Sequence, residues 1–483
     1  MVPVGRRLLS FAQETTETLP FFPVPVDKDL DHQDEDVECN SLVFFSEVLD
    51  AINQDLMPDY VLSIGQHLDS KYKGKSPTIG EPVCGSFNVC FPLSFDDGAK
   101  WMIKFPSSGT RNQWGDMSRR ALIAEAKTMM FLKKETTIPI PEVFDFSATP
   151  DNDLNCPYLL MSYIDGLSLH RVWWGHIDGM HTPEENEQVR HRILEGVASA
   201  MKQLGQFTFD KGGSLEFDED GRPSGIGAVR MVDHLAELNR SYNDDESGTQ
   251  PIYFEAGPFH DPEDQYLVAQ IRRLRETGRR DGLFEMLKAL LRQIPEMDED
   301  DNQFDLAHPD LASQNIIVSE DGELRGIIDW DGVAAVPMSV GSRTYPSWLT
   351  LDWDFIFYRY SEPAEAAVGH CHEDSPEALK RYRDVYRRFL DEAHPELQTP
   401  VSTEIATDIT RISHIAMTLY RACTVIPWTQ ELMQNIWPRI EVMARKGVRL
   451  DFTEMYAGME DGTVGDDTLD DLEEAFEALL HAV

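Results

Sequence analysis

The chain of 483 residues has only six cysteines, Cys39, Cys84, Cys90, Cys156, Cys371 and Cys423, and no two of them form a Cys-x-x-Cys pair. So few, scattered over so long a chain, argue against a disulfide scaffold and read as reduced thiols that fill space. His370-Cys371-His372 is the one cluster with metal-ligand chemistry. It lies among Glu373, Asp374, Ser375 and Pro376 without a second ligand group at zinc-finger spacing, and reads as an exposed loop. Positive charge is scarce too: 43 Lys and Arg stand against 85 Asp and Glu, a formal net charge of −42. That balance argues against nucleic-acid binding, which needs a basic surface to displace counterions. It is compatible with a cationic substrate steered to an acidic cleft. Much of the acid, however, lies in blocks, at Asp34-Glu35-Asp36, 296–301 and 460–477, which read as solvated faces or tails. No run approaches the ~20 apolar residues of a membrane span. Arg6 and Arg7 precede a patch, Leu8-Leu9-Ser10-Phe11-Ala12, that is too short for a signal-peptide core, and Glu14 and Glu17 follow too soon for a transit peptide. The expectation is a soluble cytoplasmic protein with no membrane partner.

What the chain does hold is ample core material, 41% apolar and 10% aromatic residues, enough for one bilobal unit or two domains. Its most informative stretch is 304–331, FDLAHPDLASQNIIVSEDGELRGIIDWD. Asn315-Ile316-Ile317-Val318 is a short apolar run, Asp321-Gly322 a two-residue hairpin turn, and 324–328 the return strand. Counting back from that turn pairs Ser319 with Leu324, Val318 with Arg325 and Asn315 with Ile328. Asn315 and Asp329 then lie side by side at the open end, where an amide oxygen and a carboxylate are suitable ligands for Mg²⁺. Asp310, in the loop entering the hairpin, is close enough to orient or deprotonate an attacking hydroxyl. The alternative is an ordinary hairpin with acidic ends, which does not predict His308, Asp310, Asn315 and Asp329 together at these spacings.

Upstream, 41–70 carries Leu42, Phe45, Val48, Leu49 and Ile52 at helical spacing, and 77–105 reads as a β-meander with turns at Gly85-Ser86-Phe87-Asn88 and Asp96-Asp97-Gly98. The segment 121–135 lacks Pro and Gly and puts Leu122, Glu125, Met129 and Leu132 on one helical face. A buried Glu125 needs a partner. Lys104, in Trp101-Met102-Ile103-Lys104-Phe105, is the candidate, with Arg119 or Lys127 on the helix surface as the alternative.

The sequence His308-Pro309-Asp310-Leu311-x-x-x-Asn315, followed by Ile327-Ile328-Asp329-Trp330-Asp331, resembles the aminoglycoside phosphotransferase and choline kinase-like family of the protein kinase-like fold. Pro309 stands where protein kinases carry Arg, and Trp330-Asp331 stands where they carry Phe-Gly, which favours the small-molecule branch. The resemblance implies an α+β bilobal fold, with a small antiparallel-sheet N-lobe and a large α-helical C-lobe. It implies ATP and Mg²⁺ as cofactors and a small-molecule hydroxyl as acceptor. Asp310 is then the catalytic base, and His308 braces its loop. Asn315 and Asp329 hold the metal. Lys104, held by Glu125, contacts the α- and β-phosphates, Ser86 in a glycine-poor loop touches phosphate, and hinge backbone at Ser162 and Ile164 meets the adenine. Asp331 is either a second layer behind the metal or a surface acid.

The expected organisation is an acidic, Pro-rich extension over 1–40, an N-lobe with a preceding helix over 41–164, and a C-lobe over 165–450. An acidic tail occupies 451–483, with an acidic amphipathic helix at 466–482 after a glycine-containing linker. Within the C-lobe, 184–207 and 283–294 read as helices, 208–270 as mostly loop, and 376–394 and 404–445 as further helices. Asp352, Trp353, Asp354, Tyr358 and Tyr360 are conceivable cation-binding residues. Two other readings remain, a non-catalytic kinase-like nucleotide-binding protein and an enzyme with a protein acceptor.

Overall fold

Alternation along the chain decides the small lobe. The computed structural model describes residues 45–69, 72, 75–177, 179–242, 251–278, 281–295, 304–354, 358, 360, 373–392 and 403–483. Two helices, α1 (Ser46–Ala51) and α2 (Met57–Leu68), precede a six-stranded sheet of β1 (Thr78–Ile79), β2 (Val83–Cys84), β3 (Asn88–Ser94), β4 (Lys100–Pro106), β5 (Val143–Ser147) and β6 (Tyr158–Ser162). The order is β1-β3-β4-β6-β5 with β2 also on β3, and every pairing is antiparallel. Val89, Phe91, Trp101, Ile103 and Phe105 pack with Phe45, Val48, Met57 and Val61 of the helical layer. The period of two then turns Lys104 to the opposite face. That face is covered by α3 (Asp116–Glu135), which buries Leu122, Glu125, Met129 and Leu132. Asp116 in its first turn and Lys133 and Lys134 in its last complement the helix dipole.

The chain leaves the small lobe through 163–166 into β7 (Leu167–Ser168), α4 (Leu169–Trp173) and the long α5 (Pro183–Leu204). A capping box between Thr182 and Glu185 starts α5. Next come β8 (Thr208–Phe209), β9 (Ser214–Phe217), β10 (Pro223–Gly227), β11 (Val229–Val232), α6 (His234–Tyr242), β12 (Tyr253–Ala256), α7 (Pro262–Thr277) and α8 (Gly282–Leu291). β13 (Phe304–Ala307), β14 (Ile316–Val318), β15 (Leu324–Ile327) and β16 (Ala334–Pro337) carry the 304–331 stretch. β14 lies between β15 and β7, and β13 between β16 and β8. Helices α9 (Pro376–Asp391), α10 (Thr403–Thr424), α11 (Thr429–Met443), α12 (Phe452–Asp461) and α13 (Asp466–Ala482) complete the large lobe. Together these elements form the bilobal α+β fold of the protein kinase-like class. Among the described residues no helix is long and apolar enough to cross a membrane.

Several expectations change. The single helix at 41–70 is two, broken at 52–56, where Asn53 donates to the Leu154 carbonyl and Pro58 restarts the helix. Among its described residues, the loop expected over 208–270 is a set of strands and two helices; the strands run from two to five residues, too short to show alternation. The acidic 451–483 segment is not a tail, because Leu472, Phe476, Leu479 and Leu480 are buried in one core with Ile436 and Trp437 of α11. The amphipathic helix expected at 466–482 is present as α13, with its acids on the outer face. The 1–40 extension, Leu42 and His370-Cys371-His372 lie outside the described residues.

Candidate active site

β4 and α3 deliver the first pair. Lys104 donates to Glu125 Oε1, and both side chains are buried. The same ammonium lies 3.7 Å from Asp329 Oδ1 on the large lobe, so one lysine joins both lobes. Burial alone would lower the Lys104 pKa, but Glu125, Asp329 and Asp331 outweigh it and hold the group cationic. Burial pushes Glu125 up to about 7, against the pull of Lys104. Lys104, not the Arg119 or Lys127 alternative, is thus the partner of Glu125, and Arg119 pairs with Asp116.

The hairpin supplies the rest. Ile316 faces Ile327 and Ile317 faces Gly326, and the Ile328 N–H donates to the Asn315 carbonyl at 2.9 Å, so the open end has the expected register. The turn end does not. The Ser319 carbonyl accepts from the Gly322 N–H and the Ser319 N–H donates to the Glu323 carbonyl, so the loop is Glu320-Asp321-Gly322, with Gly322 left-handed at φ +85. A bulge then pairs Val318 with Leu324 in place of Arg325. Gly326 has a separate job: a Cβ there would meet Ile164 Cγ2 at 2.7 Å, and its absence lets 163–166 lie against the hairpin.

Asn315 is buried and donates its amide to the Asp310 carbonyl at 2.9 Å and to Asp310 Oδ2 at 3.0 Å. Its side-chain oxygen is therefore not the atom that binds Asp310. Asp310 is exposed, yet desolvation of its carboxyl, followed by the charge of Asp329, raises its pKa. His308 is neutral. Its Nε2–H donates to the Ile328 carbonyl at 3.0 Å and its Nδ1 accepts from the Asp310 N–H at 3.2 Å, while burial lowers its pKa to about 4. It braces the loop. Trp330, fully buried, donates to the Ile327 carbonyl at 2.9 Å and meets His308 edge to face at 4.6 Å. With its neighbours fixed, Asp329 adopts φ +62.

Asp331 is neither a surface acid nor turned to solvent. Arg230 of β11 donates to both its oxygens, at 2.9 and 3.1 Å, and the Asn88 side chain hydrogen-bonds to it as well. Burial would raise its pKa, but Arg230 and Lys104 outweigh burial and keep it ionised. Lys104 and Arg230 thus balance Glu125 and Asp331. Asp329, with its side chain half exposed, and Asp310 are the carboxylates left to meet a cation. No three His, Cys, Asp or Glu side chains cluster as a metal cage among the described residues.

The remaining predicted residues are placed less decisively. Ser86 is at the tip of the β2–β3 hairpin, closed by the Gly85 N–H donating to the Asn88 carbonyl at 2.9 Å. Ser162 uses its N–H and its hydroxyl on Glu142, which leaves its carbonyl as its remaining hinge group. Asp352 is forked by Arg383 at 2.6 and 2.9 Å, Asp354 is bound by Arg421 at 2.5 Å, and Trp353 is covered by Arg439. The expected cation-binding patch therefore has its carboxylates matched by arginines. Arg230 and Asn88 went unrecognised in the sequence. Arg230 lay in a stretch without periodicity, and Asn88 looked like a turn residue.

A lysine–glutamate pair from a small sheet lobe, set over an Asp/Asn/Asp hairpin of a helical lobe, belongs to the kinase-like phosphotransferases as a class. The phosphotransferase enzyme family, APH, matches residues 97–339, just over half of the 483, and the chain is a member of it. A subtelomeric hrmA-associated cluster protein of Aspergillus fumigatus is 27% identical over 144 residues, 30% of this chain and 26% of that protein. Altered inheritance of mitochondria protein 9 of Candida glabrata is 22% identical over 326 residues, 55% of this chain and 49% of that protein. The chain thus spans between a quarter and a half of these relatives' length. Among solved structures, an ethanolamine kinase of Plasmodium vivax aligns with TM-score 0.39 and 12% identity, over 90% of this chain and 96% of that one.

Proposed function

We propose that the protein is an ATP- and Mg²⁺-dependent phosphotransferase acting on a hydroxyl of a small molecule. The observation that carries this reading is the meeting of Lys104 with Asp329 across the lobes, beside an Asn315 whose amide is engaged by Asp310. The donor set fits a hard cation, because Asn315 Oδ1 and the Asp329 carboxylate are oxygen ligands and Mg²⁺ completes its shell with water and phosphate oxygens. When bound, that cation neutralises phosphate charge. Lys104, kept cationic and aimed by Glu125, binds the α- and β-phosphates. Asp310 orients the acceptor hydroxyl and takes its proton as the new P–O bond forms and the bond to the β–γ bridging oxygen breaks, with ADP leaving. Its raised pKa suits a group that must end the step protonated. Ser86 reaches phosphate from the hairpin tip, and the Ser162 carbonyl and Ile164 backbone meet the adenine.

The test is Asp310→Asn. Nucleotide affinity should stay within about two-fold of wild type while transfer to any accepted alcohol falls by roughly 10²–10⁴-fold. Unchanged turnover removes Asp310 from the mechanism. Wild-type protein that binds Mg·ATP but phosphorylates no alcohol, while labelling a protein acceptor or nothing, moves the reading to one of the two rivals.

A further inference from the structure

Arg230 belongs to none of the phosphate-binding or catalytic positions above, yet it is buried behind them. Its Nη2 donates to both oxygens of Asp331, at 2.9 and 3.1 Å, and its guanidinium lies over the Tyr253 ring of β12 at 4.3 Å. Its side chain is only 12% exposed. The same two-stranded unit reaches α3: Arg120 of α3 forks Glu255 of β12 at 3.1 and 2.6 Å. Further along α3, Phe131 packs on Phe217 of β9 with ring centroids 6.2 Å apart. The segment between α5 and α7 is thus fastened at two points to the helix that carries Glu125. A third fastening joins it to the loop that carries Asp329. Asn88, at the base of the phosphate hairpin, donates to the same Asp331.

We propose that Arg230 and Asp331 form a latch by which this segment holds the Asp329 loop, the Asn88 hairpin and α3 in the arrangement that binds Mg·nucleotide. Arg230 is a positioning residue, acting through Asp331 on Asp329 two residues earlier and touching neither nucleotide nor acceptor. The geometry argues for this role over simple packing. One guanidinium nitrogen, Nη2, spans both carboxylate oxygens while the guanidinium rests on the Tyr253 ring, so the donor is itself held in place, which a lysine ammonium would reproduce only in part. The latch also closes on Asp331 while Lys104 meets Asp329, so the metal loop is held at two of its residues. Its buried charges cancel pairwise, which makes removal of one partner far more disruptive than removal of both.

The proposal rests on the phosphotransferase reading, and the experiment separates the two. ATP binding to the full chain is titrated with and without Mg²⁺ for wild type, Arg230→Met, Arg230→Lys, Asp331→Asn and the Arg230→Met/Asp331→Asn double variant. Arg230→Met should weaken binding of ATP in Mg²⁺ by about 10-fold or more and shift the Mg²⁺ half-saturation upward, while Mg²⁺-free ATP binding changes less than about two-fold. Arg230→Lys should recover part of the loss. The double variant should be no worse than the poorer single one. If Arg230→Met does not fold, the double variant, with both charges gone, carries the test and should show the same Mg²⁺ shift. Wild-type Mg²⁺ dependence in a folded variant lacking Arg230, or losses that multiply in the double variant, overturn the latch while leaving the phosphotransferase reading intact. No Mg²⁺-dependent binding by wild type overturns that reading, and the latch with it.

Discussion

Asp329 holds a backbone conformation that few residues other than glycine adopt, with φ +62. Aspartate tolerates the left-handed region better than most, but still at a cost of about 1 kcal/mol, and such strain persists where surroundings over-determine it. Here the surroundings are Trp330, buried and hydrogen-bonded to Ile327, and the His308 bond to the Ile328 carbonyl. The strain and the half-exposed carboxylate occur at one residue, which is expected where chemistry and not stability selected the side chain. Asp329→Gly should therefore leave the nucleotide-free protein as stable as wild type or more stable, by up to about 1 kcal/mol, while abolishing Mg²⁺-dependent nucleotide binding. Denaturant melts beside nucleotide titrations check this; a variant clearly less stable than wild type contradicts the strain argument. The identity of Asp329 was legible in the sequence from its motif. Its conformation was not, because φ is set by the packing of Trp330, which no local pattern records.

At the scale of elements, the catalytic hairpin shows which parts of a register can be read from residue order. Asn315 opposite Ile328 follows from two β-branched runs meeting across a glycine turn, and the structure has it. The turn end slipped because Asp-Gly serves equally as a two-residue turn or as the end of a longer loop with a glycine bulge, and residue order alone does not separate these. The loop before the hairpin depends on neutral His308, which gives it a pH signature. Unfolded, this histidine takes up its proton near 6.5; folded, only near 4. Its contribution to stability is thus complete above about pH 6.5 and lost as pH falls toward 4. The loss is about 3 kcal/mol, since each tenfold difference in proton affinity between the two states is worth about 1.4 kcal/mol. His308→Asn should cost about 1–3 kcal/mol at neutral pH through unmatched buried hydrogen-bonding groups. It should also flatten the acid limb of the stability–pH curve relative to wild type. Parallel curves for the two proteins contradict the assignment.

Across the whole molecule, the two lobes and the order of their functional residues were legible because each rests on a long periodic element or a dense motif. Glu125 could be matched to Lys104 by asking what a buried carboxylate requires, and the pair is present. The segment from β8 to β12 was not legible. Its strands are short, its glycines look like loop punctuation, and its value lies in Arg230 reaching Asp331, 101 positions away in sequence. The amphipathic character of the final helix was legible, because Phe476 and Leu480 share a face at a spacing of four, whereas its burial against α11 was not, because no local pattern records what covers that face. All these elements converge on one claim, that the cleft between the lobes binds Mg·ATP through Asp329. The most direct measurement is thermal stabilisation by ATP, with and without Mg²⁺, of wild type beside Asp329→Ala. A ligand at about 100 times its dissociation constant adds about 2.7 kcal/mol to the native state. Wild type should gain far more stabilisation when Mg²⁺ is present than without it, and Asp329→Ala should lose that increment. Equal stabilisation of both proteins, or none in wild type at millimolar Mg·ATP, would contradict the claim.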